Sequence, residues 1–286
     1  MVVKMEFKHN SYNVKAEVYS SFYAMCTEVR AKPAYPCSND FFGNATPDSP
    51  DWYGFRDGEE LRRMMTEGIV DRSQVKNILK LAGADKNKGK PKFTNHVKRA
   101  DEGDDLVIDA LIRKEPKCWD LSYRKRKPSE IIDIAIEMSI NGHIKAKDLL
   151  KAGAAVASTI QSIENRGLKT RITSVIGYHD WHEVGIAAIP IKTERTRINY
   201  PFLLFTMSPA FERGVDFGWT CRFRQSNCMG ASFNGIGTSN KEAILRKILR
   251  NDNVNLVNME LLASRAQYST MDDLIAAAKD MIAWRD

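Results

Sequence analysis

Ile131-Ile132-Asp133-Ile134-Ala135-Ile136-Glu137-Met138-Ser139-Ile140-Asn141 is the stretch whose reading decides the fold. From 131 to 138 apolar residues fill nearly every position instead of every second one, as in a strand buried on both faces. The next segment changes period. Over 146–165, Leu149, Leu150, Ala154, Val156, Ile160 and Ile163 recur at helical spacing, and Gly167 stands where a capping glycine ends a helix. Strand patterns return over 171–178 and 185–191. An apolar helix is predicted over 200–213, a strand over 219–224, and helices over 241–250 and 271–284, with a Gly/Ser/Asn-rich loop after 224. Strand alternating with helix implies an α/β fold: a mostly parallel or mixed central sheet flanked by helices.

Upstream the pattern is different. Residues 4–19 alternate and are rich in β-formers, so they predict a strand or hairpin. Residues 31–53 carry Pro33, Pro36, Gly43, Pro47 and Pro50, the composition of a long irregular connection. A helix is predicted from near Asp57, with Leu61, Met64, Met65 and Ile69 on its apolar side, and a short one over 73–81. Residues 84–105 have almost no apolar content and predict a mobile loop. A strand over 106–112 then leads into a basic, aromatic segment ending at Pro128. The expected organisation is a β-rich and helical extension over 1–128 and an α/β domain over 129–286, or one compact unit.

Composition narrows the partners. The chain has 286 residues, 43% of them hydrophobic and 28% charged, as in ordinary globular proteins. No run approaches the roughly 18 apolar residues of a membrane span, and the first residues lack the pattern of a secretory signal. Five cysteines without a Cys-x-x-Cys pair predict reduced thiols in a cytoplasm and no structural zinc. The net charge of +7 points to a phosphate-bearing partner, and the distribution of that charge carries the inference further.

Two segments concentrate it. Lys86, Lys88, Lys90, Lys92, Lys98 and Arg99 lie within 14 residues, with Phe93 among them and no acid between 86 and 99. Arg113, Lys114, Lys117, Arg124, Lys125, Arg126 and Lys127 follow, interleaved with Trp119 and Tyr123. Cations for phosphates and flat rings for unpaired bases are what a single-stranded nucleic acid needs. No helix-turn-helix or zinc finger that would read a duplex is present. The alternative is a solvated loop, a core Trp119 and a basic strand edge that resists aggregation. A strand over 219–224 would put Arg222 and Arg224 on one face as part of the same platform. Lys192, Arg195 and Arg197 form a weaker group, diluted by Glu194.

Catalysis finds little support. His179-Asp180-Trp181-His182-Glu183 offers two imidazoles and two carboxylates, but on a turn they diverge, so a surface turn is expected. Gly235-Ile236-Gly237 before a helix lacks the Gly-Lys-Ser/Thr ending of a phosphate loop. No nucleophile–base pair can be assembled, so no enzyme, metal or cofactor is expected.

The segment 131–141, the helix after it and Lys169-Thr170-Arg171-Ile172-Thr173-Ser174-Val175-Ile176 resemble the first strand, helix and second strand of a von Willebrand factor A-like (Rossmannoid) domain. Such domains hold Mg²⁺ on Asp-x-Ser-x-Ser. The aligned positions here are Glu137, Ser139 and Asn141, a longer carboxylate and an amide in place of a hydroxyl, so the resemblance implies a degenerate metal site. Asp51-Trp52-Tyr53-Gly54 and the helix closing on Gly68 resemble a family of bacteriophage proteins. With the size and basicity, the chain is similar to the single-stranded-DNA-binding RNA polymerase cofactors of N4-related bacteriophages. The resemblance implies a non-catalytic transcription cofactor in the cytoplasm of the infected bacterium. Its partners would be single-stranded DNA and the phage RNA polymerase at melted promoters, with homo-oligomer formation left open. The alternative it leaves is a von Willebrand factor A-like protein-interaction module without nucleic-acid binding.

Overall fold

The computed structural model describes residues 1–31, 50–69, 93–100, 105–117, 119–126, 130–224 and 233–282, with the backbone alone at 28–31, 93–96, 123–126 and 234. In chain order the strands are β1 (Val2–His9), β2 (Tyr12–Tyr19), β3 (Phe93–Ala100), β4 (Asp105–Leu106), β5 (Trp119–Arg126), β6 (Ile131–Glu137), β7 (Lys169–Asp180), β8 (Glu183–Lys192) and β9 (Asn255–Asn258). The helices are α1 (Phe22–Ala31), α2 (Pro50–Tyr53), α3 (Gly58–Glu67), α4 (Ile108–Ile112), α5 (Ala146–Asn165), α6 (Tyr200–Phe205), α7 (Phe217–Arg224), α8 (Thr238–Leu249), α9 (Met259–Ala266) and α10 (Met271–Met281). A π-helical stretch, Phe211–Asp216, runs directly into α7.

The fold is α/β with a mixed six-stranded sheet in the order β1-β2-β8-β7-β6-β9. β6 lies parallel to both β7 and β9, as the strand–helix–strand pattern predicts. β7 and β8 instead form an antiparallel hairpin, and β2 lies parallel to β8. The predicted N-terminal hairpin therefore extends the same sheet. On one face Ile134 and Ile136 pack into a core with α1, α3, α5, α6, α9 and α10; on the other Ala135, Val175 and Ile186 pack under α8. That two-sided burial explains why β6 shows no alternation. No helix among the described residues is long and apolar enough to cross a membrane.

Local chemistry fixes the elements. Asp57 caps α3 by accepting the Glu60 N–H at 2.8 Å. Gly68 ends the helix at φ 83°, and a Cβ there would lie 2.3 Å from the Pro201 carbonyl carbon. Glycine is required at this point, because α3 ends hard against α6. The capping box of α10, Thr270 with Asp273, likewise marks its start.

Three sequence expectations are corrected. Residues 93–100 are a strand and not loop; their charges hide a period-two pattern that pairing with β5 stabilises. Residues 106–112 are strand only at Leu106, since Ile108, Leu111 and Ile112 have the i, i+3, i+4 spacing of the short helix they form. Residues 219–224 belong to α7 and not to a strand. There Trp219 and Phe223, four apart, pack on each other and both rings lie near Tyr178, a contact that fits helical spacing as well as alternation. The helix predicted over 73–81 lies outside the described residues. α1, α9 and β9 add elements that periodicity did not single out.

Candidate nucleic-acid interface

A second, three-stranded antiparallel sheet carries the basic segments, in the order β3-β5-β4. Its register pairs Phe93 with Arg126, Thr94 with Lys125, Asn95 with Arg124 and His96 with Tyr123. Further along, Lys98 faces Leu121, Arg99 faces Asp120 and Ala100 faces Trp119. The two basic segments, separate in sequence, thus contribute neighbouring strands about 4.8 Å apart, with Lys98 and Arg99 toward the Trp119 end of the ladder and Arg124, Lys125 and Arg126 toward the Phe93 end. Lys98, Arg99, Arg124, Lys125 and Arg126 stand against Asp105 and Asp120 in the three strands.

One acid is already engaged. Asp105 is registered opposite Asp120, an unfavourable like-charge pair, and the Arg99 guanidinium sits 3.1 Å from the Asp120 carboxylate and offsets it. Lys98, Arg99 and Lys117 are exposed, while Trp119 is half-buried beside Ala100 and Leu106 in the register. Tyr123, Arg124, Lys125, Arg126 and Phe93 are placed by the backbone. Lys86, Lys88, Lys90, Lys92 and Lys127 lie outside the described residues.

Arg222 and Arg224 do not belong to this surface. On α7 Arg222 is buried and donates to Glu17 at 2.8 Å, and Glu17 also accepts from Tyr19 and from Trp219 Nε1. Burial alone raises the Glu17 carboxyl, but these donors outweigh it and hold it below the usual carboxylate range. Arg224 pairs with Asp180 at 2.7 Å and lies over the Tyr178 ring. Both arginines brace α7 against the large sheet. Lys192 is buried as well, paired with Glu164 at 2.7 Å.

The positions aligned with a metal motif lie where β6 and β9 end side by side. The chain leaves β6 toward β7 on one side and returns as β9 on the other, the switch point at which open α/β sheets form clefts. Here protein groups occupy the place. Ser139 Oγ accepts the Gly177 N–H at 2.7 Å, Asn141 donates to Glu260, and the Lys241 ammonium bonds Glu137. Burial pushes the Glu137 carboxyl up, opposed by Lys241 and reinforced by Glu260. The π-helical stretch inserts a second pair, Glu212 and Arg213, with no exposure at either side chain and 2.9 Å between them. Burial pushes the Glu212 carboxyl up to about 8. Arg213 also donates to the Trp52 and Ile144 carbonyls and lies 4.1 Å from the Trp52 ring, which ties α2 to the connection between β6 and α5. Sequence reasoning did not single out Glu212, Arg213, Lys241 or Glu260; nothing in local periodicity brings four distant segments together.

His179 to Glu183 span the β7–β8 hairpin end, with Trp181 and His182 as its exposed turn. His179 Nε2 lies 3.0 Å from the Trp181 carbonyl, and no group of three metal-ligating residues occurs among the described residues.

Fold and charge distribution together define a mixed α/β protein with a separate basic antiparallel sheet. The chain belongs to the DUF7192 family, a domain of unknown function, whose family model matches residues 6–276. No curated protein and no solved structure matches it.

Proposed function

We propose that the protein is a non-catalytic single-stranded-DNA-binding protein whose primary contact is the β3–β5–β4 sheet. The observation that carries this reading is the pairing of β3 with β5, which brings strands from both basic segments into one sheet with aromatic positions at Phe93, Trp119 and Tyr123. Phosphates meet the cations; unpaired bases meet the rings. Resemblance adds the setting: a bacteriophage transcription cofactor in the infected bacterium, which brings the phage RNA polymerase to melted promoters. The unit β6–α5–β7 with Glu137, Ser139 and Asn141 after its first strand supports a von Willebrand factor A-like architecture whose metal position is filled by internal partners.

Affinity for single-stranded and duplex oligonucleotides of equal length, measured from 50 to 300 mM salt on the order of physiological conditions, tests the proposal. Tighter single-strand binding with a steep salt slope is expected. Equal affinity for both forms, or a slope near zero, overturns it.

A further inference from the structure

The β7–β8 hairpin turns through two residues, Trp181 and His182, between the paired Asp180 and Glu183. Trp181 takes the left-handed φ of 49°, a conformation that glycine, asparagine and aspartate adopt readily and a bulky side chain does not. Its indole is 86% exposed, so the residue gains almost no burial in return. An unfavourable backbone carrying the wrong residue for a turn, with its ring in solvent, points to selection for something outside the fold.

The pedestal is rigid. Tyr178 donates to Glu183 at 2.6 Å and Lys15 pairs with the same carboxylate at 3.0 Å. Arg224 pairs with Asp180, the Tyr12 ring meets His179 edge-on at 5.4 Å, and Asn13 N–H donates to the His182 carbonyl at 2.7 Å. Each charge beside the tip therefore has an opposite partner. Asn13, in register with Glu183, is an exposed amide beside the tip, and in the β1–β2 turn the exposed Asn10 donates to Asn240 at 2.9 Å at the start of α8. None of the other exposed large apolar side chains among the described residues belongs to the two hairpin turns or to 233–240. A protein partner would want an apolar collar around such an anchor. One flat apolar face beside charges that are already paired instead matches a flat ligand with a polar edge.

We infer that Trp181 is a stacking platform for an unpaired nucleobase, a second contact for single-stranded nucleic acid apart from the basic sheet. The inference rests on the proposed single-strand binding. It assigns a division of labour: phosphate attraction at β3–β5 and base stacking at the β7–β8 turn.

Anisotropy titrations with an oligo-dT and with an abasic oligonucleotide of the same length, on the intact chain, test it. Trp181→Ala is expected to weaken oligo-dT binding roughly 5- to 150-fold, the range of one lost stacking contact. Abasic binding and the salt slope stay as in the wild type. Trp181→Gly should lose the same affinity while its Tm equals or exceeds that of the wild type, because glycine relieves the turn. Several results overturn the inference: unchanged oligo-dT binding by Trp181→Ala, equal losses on both oligonucleotides, or a lowered Tm in Trp181→Gly. Unchanged binding by Trp181→Ala alongside weakened binding by Lys98→Ala/Arg99→Ala leaves the basic sheet standing and frees Trp181 for a protein partner. No single-strand binding by the wild type removes both readings.

Discussion

Arg222 and Arg99 began as equivalent candidates for a nucleic-acid surface, and the structure assigns them opposite circumstances. Arg222 is buried against the large sheet, where Glu17, Tyr19 and the Trp219 indole complete its surroundings. Arg99 is exposed on the small sheet, in a strand pair where cations outnumber acids. The same holds for whole regions. Among the described residues of the six-stranded body each buried cation has a glutamate side chain within 3 Å: Lys192 with Glu164, Arg213 with Glu212, Lys241 with Glu137 and Arg222 with Glu17. Low dielectric enforces such pairing, because an isolated buried charge is too unfavourable to persist. Solvent relaxes the demand on the small sheet, so an excess of one sign can accumulate there. A count of basic residues therefore overstates a binding surface until the buried, paired ones are set aside.

The sharpest way to break this contrast is to remove one cation from each region. Arg222→Ala leaves the Glu17 carboxylate buried with fewer donors and should lower the unfolding free energy by about 3–5 kcal/mol in urea titration. Replacing both partners, Glu17→Gln with Arg222→Met, should recover much of that loss. Lys98→Ala should stay within about 0.5 kcal/mol of the wild type. Comparable losses at Arg222 and Lys98 would show that the small sheet too depends on its cations for folding.

pH separates two acids within the body itself. Glu212 has its carboxyl raised to about 8, so the folded chain keeps a proton that the unfolded chain releases near 4.5. The stability it contributes is complete below that unfolded value and declines as pH rises toward and through 8. Glu17 is held low, so its contribution is present at neutral pH and is lost as pH falls below the ordinary carboxylate range. Denaturation midpoints across pH 2 to 9 should accordingly fall at both ends. Glu212→Gln, which keeps the shape and removes the titration, should flatten the alkaline limb, by roughly 1–3 kcal/mol at its upper end. An alkaline limb that survives unchanged in Glu212→Gln would assign the titration to another group.

What the chain reveals before folding follows the range of the interaction. β6, α5 and β7 were legible because burial on a continuous face writes itself into neighbouring residues: Ile134 and Ile136 toward one core, Ala135 toward the other. The strand at 93–100 was not, because its identity comes from a partner 19 to 33 residues away and its own composition is polar. At 219–224 the spacing of Trp219, Cys221 and Phe223 satisfied a strand, yet Tyr178, the ring both aromatics approach, lies on another element. The two cationic runs could be seen in the sequence; that Lys98 and Arg99 of one share a sheet with Arg124, Lys125 and Arg126 of the other could not. Glu212 and Glu260 were invisible for the same reason, since a switch point is a property of strand order and not of any local pattern.

The smallest effect on folding is expected where the effect on binding should be clearest. Arg124, Lys125 and Arg126 lie on β5 opposite Asn95, Thr94 and Phe93, and a triple alanine variant removes charge while retaining strand length. Its stability should remain within about 0.5 kcal/mol per site of the wild type. Each phosphate neutralised on a single strand adds roughly 0.7 to the logarithmic salt slope, so three lost contacts should make the slope shallower by about 2. Affinity should converge with that of the wild type at high salt, where released counterions no longer favour the complex. If binding weakens with the slope unchanged, those side chains act by shaping the strand and not by meeting phosphate. If neither changes, the charge excess on β5 is a guard against edge-to-edge pairing, and the phosphate contacts lie elsewhere.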